Sequence, residues 1–115
     1  MTNWNRNSTR FYSKIQEKNV AKVLGGKTTP NSGATPYIKG DVMSSDWLLE
    51  CKTCMTNKQS FSIKKDWLKG VREDAIAQGK MNYALVFNFG PNQENYYIIT
   101  ENKFKEILEI ENNNQ

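Results

Sequence analysis

Gly40-Asp41-Val42, followed after a short spacer by Leu48-Leu49-Glu50-Cys51-Lys52, is the stretch on which the fold turns. Both pieces read as strands, the first over about Ile38 to Met43 and the second over about Trp47 to Thr53. Side chains two apart on a strand share a face. Trp47, Leu49 and Cys51 therefore face one way, and Leu48, Glu50 and Lys52 the other. An acid and an amine are presented together on a sheet that otherwise wants apolar residues, with a second acid, Asp41, on the neighbouring strand. Placing such groups on a sheet costs desolvation, so the pattern calls for a use.

Working outward toward the N-terminus, Asn7 or Ser8 can cap a helix from about Thr9 to Leu24, and Gly25-Gly26 stops it. Tyr12, Ile15, Val20 and Val23 make its expected buried arc. Arg10, Lys14, Lys18 and Lys22 recur every four residues and form one basic stripe. A positive stripe with no interleaved acid repels itself, which suits it to phosphate. Residues 25–39 read as a long loop rich in Gly, Thr, Pro, Ser and Asn, a length that favours a binding role. Gly25-Gly26-Lys27-Thr28 is not a nucleotide-binding loop, because Ala21 stands where the first glycine belongs and a helix, not a strand, precedes it.

Toward the C-terminus, a third strand is expected around Phe61, then a helix from about Lys64 to Gln78 with Trp67, Leu68, Val71, Ala75 and Ile76 buried. Tyr83 to Phe89 is nearly all apolar, as in a central strand covered on both faces. Gly90-Pro91-Asn92 turns it into a partner over Asn95 to Thr100. A last helix, about Glu101 to Ile110, is expected to bury Phe104, Ile107 and Leu108. The order is α-β-β-β-α-β-β-α, a mixed sheet with helices packed against it, in a single domain of 115 residues with loose ends at 1–8 and 111–115.

Charge is unevenly spread. Residues 1–39 hold seven Lys/Arg against Glu17 alone, residues 40–100 are balanced, and residues 101–115 hold two Lys against four Glu. A basic first third suggests an anionic partner, most simply nucleic acid. The chain has no histidine, which excludes Ser-His and Cys-His nucleophile pairs and His-containing zinc sites. Cys51 and Cys54 are too few for a structural zinc within one chain, and Cys51 falls in a strand facing the core instead of opening a helix as a redox pair does. No apolar run is long enough for a membrane span, and the N-terminus lacks a signal-peptide core, so a cytosolic location is expected.

Carboxylates and a lysine without histidine suit phosphodiester hydrolysis. A hard cation held by carboxylate oxygens neutralises the phosphate and makes water nucleophilic. Lys52, beside Glu50, would orient or help deprotonate that water and stabilise developing charge. Glu17, the only acid before Asp41, is either an i,i+4 partner for nearby lysines or a third carboxylate lent by the first helix.

Gly40-Asp41 followed by Glu50-Cys51-Lys52 resembles the Asp…Glu-x-Lys signature of the PD-(D/E)xK nuclease superfamily, with Gly40 in place of its proline. Glu17 in the first helix, Ser32-Gly33 in the loop, the two strands, the helix and the apolar strand together are similar to the small archaeal and phage-type Holliday junction resolvases, over roughly Phe11 to Thr100. The resemblance implies a restriction-endonuclease-like α/β (α+β) core, α-β-β-β-α-β. It implies Mg²⁺ (or Mn²⁺) on Asp41 and Glu50, with Glu17 as an auxiliary metal or water ligand, Lys52 serving the water and Ser32 near the scissile phosphate. DNA would meet Arg10, Lys14, Lys18, Lys22, Lys27, Lys39, Lys64 and Lys65. Two symmetric cuts need two sites, hence a homodimer. The alternatives are a sequence-tolerant or nicking nuclease on ordinary duplex, and a non-catalytic DNA-binding module whose Asp-Glu-Lys set is a structural ion pair.

Overall fold

The computed structural model describes residues 9–29 and 40–114. Among these, the order is α1 (Thr9–Leu24), β1 (Lys27–Thr28), β2 (Val42–Met43), β3 (Trp47–Lys52), α2 (Lys65–Ala77), β4 (Asn82–Phe87), β5 (Tyr96–Ile98) and α3 (Glu101–Asn113). The strands form one sheet in the order β1-β2-β3-β4-β5. All neighbours are antiparallel except β3 and β4, which run parallel with Leu49 opposite Ala84 and Lys52 opposite Phe87. Parallel neighbours need a crossover, and α2 is that crossover. The α/β class and the α-β-β-β-α-β-β-α order expected from the sequence are therefore present.

The identity of one strand differs from expectation. Nothing around Phe61 is a strand; residues 53–64 are irregular, and their place in the order is taken by β1 inside the glycine-rich loop. A two-residue strand has no alternation to read. Lys27 and Thr28 are recruited because β2 offers them a free edge, with Lys27 opposite Met43 and Thr28 opposite Val42.

Helix α1 closes as its glycines predict: Gly25 takes φ 72°, and the Gly26 and Gly25 amides donate to the Ala21 and Lys22 carbonyls at 2.9 and 3.3 Å. Gly79 ends α2 in the same way, at φ 71° with Lys80 N–H on the Ala75 carbonyl at 2.8 Å. The sheet is covered on both faces. On one, Val20 and Ala21 of α1 pack with Val42, Leu49, Cys51, Ala84 and Val86. On the other, Leu48 packs with Val71 and Ala75 of α2. The alternation along β3 is thus as the sequence predicts, with Cys51 in the core beneath α1.

Some expected core positions are exposed. The arc of α1 that faces the sheet contains Gln16, Val20 and Ala21, leaving Ile15 and Val23 in solvent; Ile76 of α2 is exposed as well. The helix is rotated so that Gln16 reaches the Lys52 carbonyl, 2.7 Å from its Nε2. The largest departure is α3, which contains no buried residue; Phe104, Ile107 and Leu108 lie exposed among the described residues.

Gly40 fixes the approach to β2. It has φ +85°, and a Cβ there would stand 2.6 Å from Leu48 Cδ1, a side chain with no exposed surface. A proline, locked near −65°, cannot occupy this position. Gly40→Ala is expected to destabilise the protein by about 2 kcal/mol or more through left-handed strain and overpacking, read as a lowered urea midpoint with unchanged m-value.

Candidate functional site

The site forms where β2 and β3 part. Asp41 immediately precedes β2; its backbone N–H donates to the Leu49 carbonyl at 2.9 Å, and its own carbonyl accepts from Thr29 N–H at 3.0 Å. One residue earlier the chain turns away at Gly40, so the next β3 amide on that edge, Cys51 N–H, lacks a strand partner. Asp41 Oδ2 accepts it instead, at 2.8 Å. A buried backbone donor must be paired, so this carboxylate completes the sheet edge and is positioned by doing so.

Glu50 follows on β3, on the face opposite the one Cys51 packs into, and Lys52 is its same-face neighbour. Lys52 Nζ lies 3.4 Å from Glu50 Oε2, and both side chains retain just over a quarter of their exposure. The ammonium also sits 4.5 Å from the centre of the Trp67 ring, an additional attraction for a cation. The lysine is thereby held between a carboxylate and an aromatic face.

Burial pushes the Asp41 carboxyl above its ordinary range, against the opposing pull of the Cys51 amide and of Lys52. Glu50 is raised for the same first reason and then by Asp41, with Lys52 drawing it back through charge and a hydrogen bond and Asp74 adding a further push upward. Glu17, half-buried on α1, is raised to about 7 by burial and by Asp41 and Glu50, while Lys14 lowers it. The three acids expected from the sequence thus share one field. Burial, followed by these same three carboxylates, drives the Cys51 thiol upward, so it is not a ready nucleophile.

As they stand, no three Cys, Asp or Glu side chains among the described residues are gathered closely enough to ligate one ion. Two carboxylates suffice for Mg²⁺, which usually keeps several waters and binds through one or two carboxylates plus substrate phosphate. Asp41 and Glu50 fit that requirement: both are hard oxygen donors, they repel one another, and Asp41 has one oxygen outside its bond to Cys51. Glu17 stands in the electrostatic field of both carboxylates.

Of the other expected residues, Arg10, Lys14, Lys18 and Lys22 are all exposed along α1, Lys27 is exposed on β1, and Lys64 and Lys65 are exposed at the start of α2. Lys64 Nζ lies 5.7 Å from the Trp67 ring. Ser32 and Lys39 lie outside the described residues.

Sequence reasoning missed the supports of Lys52. Gln16 keeps 3 % of its exposure and ties α1 to the Lys52 carbonyl, to Asn95 Oδ1 at 3.3 Å and, through Asn95, to Asn88 Nδ2 at 3.1 Å. Its Oε1 is buried without a hydrogen-bond donor. The available signal is its spacing, four residues before Val20 on the apolar arc, where a polar residue is out of place. Trp67, expected in the core, is half-buried and stands over the lysine.

No family model matches the sequence, and searches of curated proteins and of solved structures found no match.

The raised carboxyls have a thermodynamic consequence. Between the ordinary glutamate range and about 7, folded Glu17 retains a proton that the unfolded chain has released. The native state then binds more protons than the unfolded one, so stability falls as pH rises through this window and levels above it. Glu17→Gln is expected to flatten that decline and to be more stable than wild type at pH about 8, measured as urea midpoints across the range. An equally steep decline in the variant would assign it to Asp41 and Glu50 alone.

Proposed function

We propose that this chain is a Mg²⁺-dependent endonuclease that hydrolyses DNA phosphodiester bonds, with four-way junctions as preferred substrate and two copies acting together. The observation that carries the reading is the meeting of Asp41, Glu50 and Lys52 at one end of β3, with Glu17 in the same electrostatic field. Asp41 and Glu50 would hold the ion, whose chemistry is to neutralise phosphate charge and acidify water; Mn²⁺ has the same preference for oxygen ligands.

The chain's own groups supply the rest. Lys52, held by Glu50 and Trp67, is a fixed positive charge for the phosphate as negative charge builds on its oxygens, and a fixed charge needs no reorganisation during reaction. Glu17, raised to about 7, is matched to taking a proton from water near neutral pH. Arg10, Lys14, Lys18, Lys22 and Lys27 offer a run of exposed cations for the DNA backbone, and Lys64 and Lys65 offer a second group at the start of α2. Paired cuts across a junction require two such sites, which one chain does not contain.

The rival reading is a non-catalytic DNA-binding module. The Glu50–Lys52 pair favours it, since that ion pair is complete without a ligand. Asp41→Asn and Glu50→Gln separate the two. Asparagine keeps an oxygen for the Cys51 amide, so folding should survive. Each variant is expected to lose Mg²⁺-dependent cleavage by at least about 100-fold, the scale on which loss of one charge-stabilising group acts, while binding junction DNA normally without divalent ions. Unchanged cutting in both would leave the binding module as the better reading. Equal cutting of linear duplex and junction in competition would move the substrate to ordinary duplex.

DNA-backbone binding through α1 predicts a steep fall of affinity with salt. Lys14→Ala with Lys18→Ala should reduce the slope of log affinity against log salt by about 2, one unit for each phosphate no longer neutralised. An unaltered slope would remove α1 from the DNA interface.

A further inference from the structure

A cavity of about 190 Å³ opens where β3 and β4 end, between α1 and the loop that leads into β5. Among the described residues its lining carries no charged side chain. Six carboxamides supply most of the polar groups, those of Gln16, Asn19, Asn88, Asn92, Gln93 and Asn95, and Phe11 and Tyr12 supply aromatic surface. The two rings meet at 5.2 Å and 82°, so a flat ligand lying along one ring meets the other edge-on.

The carboxamides are only partly engaged. Asn88 is used in full: its Oδ1 accepts from Thr53 Oγ1 at 2.7 Å and from the Gly90 amide at 3.2 Å, and its Nδ2 donates to Asn95 Oδ1 at 3.1 Å. Gln16 Nε2 likewise donates to the Lys52 carbonyl and to Asn95 Oδ1. Two groups are left over. Gln16 Oε1 is buried without a donor, and Asn95 Nδ2 meets no acceptor among the described residues. A buried acceptor without a donor costs free energy, and a ligand N–H brought to this amide would remove that cost. Asn19, Asn92 and Gln93 are exposed and so free to adapt to what enters.

An uncharged lining disfavours phosphate, metal ions and charged side chains as occupants, because a charge buried without a partner is costly. The volume is below the roughly 300 Å³ at which sites for drug-sized ligands begin. What suits both limits is one small flat heterocycle with donors and acceptors along its edge, and a nucleobase is such a group. Carboxamides read base edges because they offer a donor and an acceptor side by side, and unstacked bases lie against aromatic rings. Cations are near in the chain: Lys14 and Lys18 are exposed on α1 and immediately precede Ile15 and Asn19 of the lining.

We infer that this cavity takes one unpaired nucleobase of a nucleic acid strand, stacked on Tyr12 and read by the carboxamides of Gln16 and Asn95. The inference stands on the cavity and holds whether or not the carboxylate site is a nuclease. For a nuclease it adds specificity. Thr53 of the lining directly follows Lys52, and Gln16 of the lining holds the Lys52 carbonyl, so the base is taken beside the groups proposed to cut. Cutting then favours branch points and other places where a base leaves its pair at least cost.

Two DNA duplexes of equal length and charge test it, one with a single unpaired base as a bulge and one with an abasic residue at that point. The full chain binds them without divalent ions, followed by fluorescence anisotropy. Wild type is expected to hold the base-bearing bulge at least about fivefold more tightly, the scale of one base stacked on an aromatic side chain. Because the lining is uncharged, that ratio should stay constant with salt while both affinities fall. Tyr12→Ala should bring the ratio to one and Tyr12→Phe should keep it. Ile15→Asp, at a lining position 42 % exposed, should also abolish it while unfolding cooperatively in urea, and serves if Tyr12→Ala does not fold. Equal wild-type affinities, a ratio that collapses with salt, or a ratio untouched by Ile15→Asp overturns the inference. So does saturable binding of free nucleosides with no difference between the duplexes, which assigns the cavity to a free ligand. A chain that shows the ratio but cuts nothing when Mg²⁺ is added rejects the nuclease reading and leaves this one intact.

Discussion

One hydrogen bond, from the Cys51 amide to the Asp41 carboxylate, joins the fold to the site. β2 ends its approach to β3 at Gly40, whose backbone conformation turns the chain away, and an unpaired amide at that depth would cost as much as a lost hydrogen bond. Asp41 meets the need with a charged acceptor, stronger than a neutral carbonyl. The sheet edge is thereby closed, and a carboxylate is fixed where the two strands diverge. A partly buried charge is the consequence, visible in the upward shift that burial imposes on Asp41 despite the bond.

That charge is then compounded. Glu50 and Glu17 stand in the same field, each raised by Asp41, while Lys52 is ion-paired to Glu50. Lys52 and, at Glu17, Lys14 are outnumbered by the three carboxyls and Asp74, which leaves an acid surplus around half-buried groups. Protons relieve it at low pH, and a cation would relieve it where the carboxyls are ionised. A divalent ion held by Asp41 and Glu50 would relieve the same repulsion.

The sequence revealed the sheet where alternation or an unbroken apolar run was long enough to read. β3 and β4 were legible for that reason, as were the ends of α1 and α2, where glycine takes the left-handed conformation that ends a helix. β1 was not, because two residues carry no period and its pairing is decided by the free edge of β2. Around the site, Asp41, Glu50 and Lys52 were legible from their spacing. Gln16 and Trp67 were not, because their roles depend on how α1 and α2 are rotated against the sheet. The rotation of α1 is set by Val20 and Ala21 packing under Leu49 and Cys51, and it simultaneously lifts Ile15 and Val23 out of the core.

The same rotation connects the two surfaces of the molecule. By turning Gln16 inward to hold the Lys52 carbonyl and Val23 outward to line an apolar groove, α1 serves the carboxylate site with one side and shapes the surface with another. The periodicity of α3 correctly marks an apolar face but is silent on whose core that face enters. Val20, Ala21 and Leu24 of α1 pack one face of the sheet and Val71 and Ala75 of α2 the other, while Phe104, Ile107 and Leu108 of α3 lie exposed. An amphipathic helix whose apolar face enters neither cluster shows that helical period reports which residues share a face, whereas packing decides what that face meets.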